Sequence, residues 1–360
     1  MRSSFRAVLL LTFLVSTLWY LRKAAAQTTG QPTPASASTT STDSVAAANS
    51  GTNGAPDIAQ LRLMIDRGQF AEALKQLDAL AARTPVPAGV NRLRGLALYS
   101  ENQFAQADAA FAEALTEDPH DVEAAQLRGL TLFRLGKPTE AIPLLESATG
   151  WAAHTRVDPS YVLALCYLEV KQYDNARRAF AHQYGFAPDS APAYLLTARM
   201  LLRRDNLPEA KELAAKALEI DPRLPLAHEL LGEIALAQQQ LSVAIGEFEK
   251  ERVVDPLDGS VYDRLGDAYI RAGQYNKAEQ ALQRALLLEP SATGPYILLG
   301  RALIGNQDPA GAVMYLQRAE KMDDKNPMTH WLLAQAYRSL GQLDAARRES
   351  EITQKLELKN

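Results

Sequence analysis

The sequence predicts an all-α protein, built as a solenoid of paired antiparallel helices. Three observations predict it. From residue 57 onward alanine recurs at steps of 34 or 35 residues, a small residue usually precedes it by 12, and a large one mostly follows it by four. A repeat of this length is typical of stacked helical units. The recurring alanines are Ala73, Ala107, Ala141, Ala176, Ala210, Ala244, Ala278, Ala312 and Ala346.

The stretch LGDAYIRAGQYNKAEQALQRALLLEP, from residue 265, shows how one unit folds. Apolar spacing predicts a first helix over about Val261 to Ala272 and a second over about Lys277 to Leu288. Gly273 is placed to end the first helix in the left-handed conformation. Gly266 and Ala278 are small, so we expect the two helices to cross closely there.

This pattern, L-G-x-x-Y followed by alanine, a large residue and proline at a 34-residue period, resembles the tetratricopeptide repeat. The resemblance covers about residues 54–360, with nine units starting near 54, 88, 122, 157, 191, 225, 259, 293 and 327. It implies a right-handed superhelical solenoid over 57–360, whose concave groove binds a protein or peptide. It says almost nothing about which one.

Residues 1–26 are predicted to be a signal peptide or a short N-terminal anchor. Basic residues precede the apolar run Ala7 to Leu21, and a small-residue cleavage site ends at Ala26. Arg22 and Lys23 behind the apolar run count against cleavage, so an uncleaved anchor is the alternative. Either way we expect an exported protein, periplasmic or secreted, whose contact with a membrane is limited to this segment.

Residues 27–56 are rich in Ser, Thr, Ala and Pro, with Asp43 as the only charge, and are predicted to be a flexible linker. Without the four basic side chains of residues 1–26, 34 basic and 42 acidic side chains remain, a formal charge of −8. That balance argues against a nucleic-acid partner, since phosphate-backbone binders carry a basic stripe.

No motif for catalysis, a cofactor or a metal is present, so we expect none of the three. The five histidines lack ligand-spaced partners, and His228 and His330 fall at an inward-packing position of their repeats. Cys166 is the only cysteine, which excludes an internal disulfide. It stands where sister segments carry alanine, so we expect it to be buried.

Within the resemblance, positions 2, 5, 9, 12 and 13 of each first helix line the groove. Carried over repeat by repeat, they make candidates of Arg92, Tyr99, Phe133, Tyr161, Leu165, Arg199, Arg203, Glu229, Glu233, Asp263, Asp267, Arg301, Met328, Trp331 and Arg338. Trp151 joins them from the irregular end of repeat 3, where it either contacts a partner or covers that end. The Lys and Asn set of the family's clamp for C-terminal carboxylates is not found.

Two pairs of carboxylates, Glu229 with Glu233 and Asp263 with Asp267, are each spaced i, i+4 and so share a helix face. One interpretation is an acidic groove for a basic peptide or protein surface. The alternative is a charge ladder between neighbouring helices, pairing Arg199 with Glu233 and Asp267 with Arg301. A cation site is the third.

The aromatic set Tyr99, Phe133 and Tyr161 predicts a peptide or glycan platform, with packing between repeats as the alternative. The function that fits best is a non-enzymatic protein–protein interaction scaffold in cell-envelope assembly. A component of a polysaccharide-secretion or glycan-binding apparatus is the second hypothesis. The oligomeric state is left open.

Repeats 3, 8 and 9 depart from the pattern; repeat 8 has Pro309 at an aromatic position and Asp324 in place of the closing proline. Repeat 3 contains Pro138 and Pro143 and is expected to end its second helix near Gly150. Repeat 9 carries Ser350 and Thr353 where other repeats have apolar residues, as expected of a polar terminal cap.

Overall fold

The computed structural model describes residues 57–148 and 159–358, which form 18 α-helices and no strand. The expectations for residues 1–26, residues 27–56 and Trp151 lie outside the described residues. No helix in the described ranges is long and apolar enough to cross a membrane.

The described helices form nine consecutive pairs. They are α1 (Ile58–Asp66), α2 (Phe70–Ala81), α3 (Val90–Ser100), α4 (Phe104–Glu117), α5 (Val122–Arg134), α6 (Pro138–Ser147), α7 (Pro159–Glu169), α8 (Tyr173–Tyr184), α9 (Ala191–Leu202), α10 (Leu207–Ile220), α11 (Ala227–Ala237), α12 (Leu241–Val254), α13 (Gly259–Arg271), α14 (Tyr275–Leu288), α15 (Thr293–Gly305), α16 (Pro309–Met322), α17 (Pro327–Ser339) and α18 (Leu343–Glu357).

The helices fall into two compact units. The described residues up to 197 form the N-terminal unit, and residues 198–358 form the C-terminal unit. Within each unit a short turn makes the two helices of a pair antiparallel, and consecutive helices pack on each other, as α13 packs on α14 and α14 on α15. Several first helices also contact the first helix of the following pair, as α13 contacts α15. Each unit is therefore a stack of helix pairs, which confirms the predicted helical-repeat solenoid.

The pair α13 and α14 begins and ends within two residues of the predicted bounds. Gly273 lies between them with φ of +68°, in the left-handed region, as predicted. Ala278 is fully buried at the crossing. The periodic pattern is thus sufficient to locate both helices of this repeat.

Small residues of the first helices pack on large residues of the second. A Cβ at Gly95 would lie 2.6 Å from the ring of Phe111, and a Cβ at Gly129 would lie 2.7 Å from Leu145. Both distances are shorter than any real contact, so the two helix axes approach as closely as glycine allows. Phe111 and Leu145 are fully buried. The core of each pair is therefore this interlock, and the prediction of a close crossing is confirmed.

The irregularity predicted for repeat 3 is present. Helix α6 has 10 residues, against 14 in α4, and ends at Ser147, close to the expected end. Pro138 is its first residue and Pro143 lies inside it. In repeat 9, the hydroxyls of Ser350 and Thr353 donate to carbonyls one turn earlier in α18, at 2.9 Å each.

Candidate functional site

The candidate residues in the C-terminal unit lie on first helices. We call this set of side chains, at positions 2, 5, 9, 12 and 13 of repeats 6 to 9 on α11, α13, α15 and α17, the first-helix face. Glu229 and Glu233 stand on α11, Asp263 and Asp267 on α13, Arg301 on α15, and Trp331 on α17. Arg199, near the C-terminal end of α9, and Arg203, just after that helix, belong to the same unit.

Arginines neutralise the carboxylates of α11. The Arg264 guanidinium contacts both: its Nε lies 2.7 Å from Glu229 Oε1, and its NH2 lies 2.5 Å from Glu233 Oε1. Arg199 NH2 lies 3.4 Å from the other oxygen of Glu229. Glu229 is only 4% exposed, so both arginines compensate a charge that is largely removed from water.

Arg264 was not among the predicted site residues. It stands at position 6 of its repeat, outside the groove register, and reaches back to the preceding first helix. A signal for it was present in the sequence, because it is the one cation between Asp263 and Asp267 and lies 35 residues after Glu229. The period places it beside that carboxylate on the neighbouring helix.

The charge ladder exists, but its pairs differ from those predicted. Arg199 contacts Glu229 instead of Glu233. Asp267 contacts Arg271 at 2.8 Å instead of Arg301, because Arg271 lies one turn further along the same helix. Arg301 is exposed, and the described residues offer it no ion pair within salt-bridge distance.

Asp263 differs from the other three carboxylates. Its Oδ1 is buried and has no hydrogen-bond partner among the described residues. The pKa of Asp263 is raised to about 6, chiefly by burial; Arg264 opposes this rise, and the charges of Asp267 and Glu289 add to it. A Cβ at Gly294 on α15 would stay 3.8 Å from Asp263 Oδ2, and glycine places no side chain there. This carboxylate therefore lacks a direct partner among the described residues at the place where the next repeat leaves space.

A buried carboxylate of α12 holds the start of α11. Glu251 is fully buried and accepts the backbone N–H groups of Leu226, at 2.7 Å, and Glu229, at 3.1 Å. Leu226 has no side chain that could cap the helix, so Glu251 satisfies these donors instead. This contact fixes the end of α11 from which Glu229 projects.

Two large apolar side chains of α17 face outward. Met328 and Trp331 are 48% and 47% exposed and stand three residues apart, which places them on one side of the helix. Tryptophan is enriched among the residues that carry binding energy in protein interfaces. The prediction for Trp331 as a contact residue is compatible with this exposure.

The aromatic candidates of the N-terminal unit pack inside their own repeats. Tyr99 meets Phe104 edge-on with ring centroids 5.4 Å apart, and Tyr161 lies 5.9 Å from Phe180. Burial raises the pKa of Tyr99. Phe133 is half-buried. These contacts of Tyr99 and Tyr161 lie within single repeats, whereas the alternative expected packing between repeats.

Arg92, another groove candidate of the N-terminal unit, is also engaged. Its NH1 lies 2.8 Å from Asp121, and its Nε lies 3.2 Å from Glu123. Arg62 contacts the same Glu123 at 2.7 Å. Two arginines thus enclose a carboxylate in this unit as well.

The two histidines that were predicted to pack inward, His228 and His330, each contact a carboxylate. His330 is 2% exposed; its Nδ1 lies 2.7 Å from Glu349, and its Nε2 lies 3.0 Å from the Asp324 carbonyl. Potential ligand atoms of Glu320, His330 and Glu349 lie within 4.8 Å of one another. His228 makes the same contact with Glu247, also at 2.7 Å. Because the pair recurs in this register, we interpret it as part of helix packing.

Cys166 is fully buried in α7, as predicted, and burial raises the pKa of its thiol to about 12. A thiol that stays protonated and shielded is a poor nucleophile or ligand. It belongs to the packing of its repeat.

Comparison with known proteins matches four stretches of the chain to family models. Two tetratricopeptide repeat models match residues 259–292 and residues 58–107 and 297–351. A model of anaphase-promoting complex, cyclosome, subunit 3 matches residues 100–183. The stretch 259–292 coincides with repeat 7 as described above.

The curated relatives are distant. Superkiller complex protein 3 of Homo sapiens is 23% identical over 235 residues, covering 63% of this chain and 15% of that protein. The CTR9 homolog of Arabidopsis thaliana is 25% identical over 269 residues, covering 69% and 24%. The chain therefore spans less than a quarter of the length of both.

Among solved structures, MamA from Desulfovibrio magneticus RS-1 is 20% identical with a TM-score of 0.45, covering 48% of this chain and 97% of that one. The recurring small-on-large interlock, the helix pairs and the matching family models agree with one another. The chain belongs to the tetratricopeptide repeat family.

Proposed function

We propose that the chain is a non-enzymatic scaffold that binds a protein or peptide on the first-helix face of its C-terminal unit, and that the partner presents a basic side chain to Asp263. One observation carries this proposal. Asp263 is a partly buried carboxylate for which the described residues offer no ion-pair partner within salt-bridge distance, whereas arginines of the chain already contact Glu229, Glu233 and Asp267.

The energetics favour a cationic partner. Taking a carboxylate out of water without a partner costs free energy, which appears here as the raised pKa of Asp263. A lysine or arginine of a partner would pair with the Asp263 carboxylate and so offset the cost of burying its charge. Groups held at such a cost are frequent at binding sites.

The same unit offers an apolar anchor for such a partner. Trp331 and Met328 are exposed on α17, two repeats after α13. A segment lying across consecutive first helices would meet Asp263 first and Trp331 later. Burying an exposed tryptophan at an interface is a common source of affinity.

The proposed setting is the cell envelope, and its support is the export pattern in the sequence of residues 1–26. The glycan-binding alternative has less support. Tyr99 and Tyr161, on which it depends, pack against Phe104 and Phe180.

A peptide array tests the proposal. The full chain is incubated with peptides that differ only in carrying lysine, glutamine or glutamate at one position. We expect selection of lysine peptides, and we expect D263N to weaken their binding about tenfold, as for loss of one partly desolvated ion pair.

The matched control is D267N, which removes one charge from the same helix face at a carboxylate that Arg271 already neutralises. We expect it to change binding less than about twofold. If D263N still prefers lysine peptides as strongly as the wild-type chain does, the proposed role of Asp263 is refuted. Absence of any peptide binding would count against the scaffold function itself.

A further inference from the structure

A cavity of about 490 Å³ lies in the C-terminal unit, between α12, α13 and α14. Its walls are the second helices of repeats 6 and 7, so it lies away from the first-helix face. The first helix of repeat 7 supplies its floor, with Tyr262, Leu265 and Tyr269. This volume is within the range of ligand pockets.

The cavity exists because repeat 7 carries a small residue in a register that its neighbours fill. Glu247 contacts His228 in repeat 6, Tyr315 meets Tyr296 in repeat 8, and Glu349 contacts His330 in repeat 9. Ala281 stands at this register in repeat 7, 34 residues after Glu247. It faces Tyr262 across the cavity without filling it.

The lining carries an excess of positive charge. Arg252, Lys277 and Arg284 line the cavity, against the single carboxylate of Glu249. Glu249 is already engaged: it accepts from Arg252, at 2.5 and 2.8 Å, and from the Tyr269 hydroxyl at 2.8 Å. The described residues offer no ion pair to Lys277 or Arg284.

The two unpaired cations are placed along one helix. Lys277 and Arg284 are seven residues apart on α14, which is about 10 Å along the helix axis. The Lys277 ammonium also lies 5.6 Å from the centre of the Tyr269 ring. A single carboxylate does not reach both positions. In an extended segment, alternate residues project to the same side about 7 Å apart, and the flexible Lys and Arg side chains can adjust to that spacing.

We propose that this cavity binds an acidic segment of a partner protein in extended conformation, with carboxylates on alternate residues paired to Lys277 and Arg284. The site is separate from the proposed site at Asp263 and takes a ligand of opposite charge. Tyr262 and Tyr269 provide the apolar surface between the two cations. The scaffold then has two binding surfaces with different requirements.

The test is fluorescence anisotropy with the full chain and a labelled peptide of alternating Glu and Ser. A peptide of alternating Gln and Ser is the neutral counterpart. We expect only the acidic peptide to bind, and we expect K277Q/R284Q to weaken it about tenfold or more, as for two partly screened ion pairs. A281E, which places the carboxylate of repeats 6 and 9 in the cavity, should weaken it as well.

K250Q/K321Q is the matched control, because it removes the same charge from exposed positions of the same unit that do not line the cavity. Binding that falls equally in this control would reveal general charge attraction and refute the site. Failure of the acidic peptide to bind the wild-type chain would also refute it.

Competition with inorganic phosphate tests whether the cavity binds a phosphate group instead of carboxylates. We expect phosphate to displace the peptide no better than sodium chloride of equal ionic strength. Displacement by phosphate at much lower concentration would overturn the assignment to an acidic segment. The array test at Asp263 uses basic peptides, so the two proposals can fail independently.

Discussion

The Arg264 guanidinium bridges Glu229 and Glu233, at 2.7 and 2.5 Å, and so ties α13 to the preceding first helix. Glu229 is almost inaccessible to water and Glu233 largely so. Burial raises the pKa of Glu233 even though Arg264 and Arg199 oppose that shift. The bridge is therefore a partly desolvated charge cluster.

We predict that R264Q lowers the free energy of unfolding by about 2 to 3 kcal/mol, because removing one partner of a buried pair leaves the other charges uncompensated. Urea unfolding of the full chain, followed by circular dichroism, measures this. R301Q is the control: Arg301 is exposed without an ion pair, and its loss should cost less than about 0.5 kcal/mol. Equal losses in the two variants would contradict a special role for Arg264.

D263N should stabilise the chain at neutral pH. The folded pKa of Asp263 is raised to about 6 from 3.8, so ionisation costs stability as pH rises through that window, and this cost is absent below about pH 4. After allowance for partial solvent access, we expect a gain of about 1 to 2 kcal/mol at about pH 8. At about pH 3.5 the variant and wild type should have similar stability. The midpoints of urea unfolding of D263N and wild type at both pH values test this prediction. A D263N variant less stable than wild type at the higher pH would disprove the buried-charge interpretation.

His330 should make the last repeat sensitive to alkaline pH. Burial alone would lower the pKa of His330, but hydrogen bonds to Glu349 and the Asp324 carbonyl, with the charges of Glu349 and Glu320, raise it above 6.5. A raised histidine pKa gives stability that is complete below pH 6.5 and is lost as pH rises through the folded value.

Thermal unfolding of wild type and H330N from about pH 6 to 9 checks this prediction. We expect the difference in midpoint to shrink as pH rises. H120N removes an exposed histidine and serves as the control. A difference that stays constant over the whole range would contradict a charged His330 in the folded chain.

G95A and G246A should have opposite effects. A Cβ at Gly95 would lie 2.6 Å from the Phe111 ring, so alanine there should cost about 1 to 3 kcal/mol through overpacking. Gly246 lies inside α12 with no atom within 4 Å of such a Cβ. Alanine should therefore stabilise by about 0.5 to 1 kcal/mol through helix propensity. Urea unfolding distinguishes the two, and the same sign for both variants would argue against the close crossing.

The helix pairs could be predicted from the amino-acid order, because each depends on contacts between residues close in the chain. Gly266, Ala278 and Gly273 specify where two helices cross and where the first one ends, and the period repeats that information in each unit. The burial of Cys166 follows from the same register, since alanine occupies its position in sister repeats.

The pairing of the charges depends on the three-dimensional structure. Arg199 contacts Glu229 and not Glu233, and Asp267 contacts Arg271 and not Arg301. Arg264 contacts two carboxylates of the preceding repeat. A period places side chains on a face, but long arginines reach several acceptors from one position. The structure also leaves Asp263 without a partner and leaves a cavity beside Ala281. Both depend on what the neighbouring helix presents, since desolvation and cavity volume are properties of packed side chains and not of their spacing in the chain.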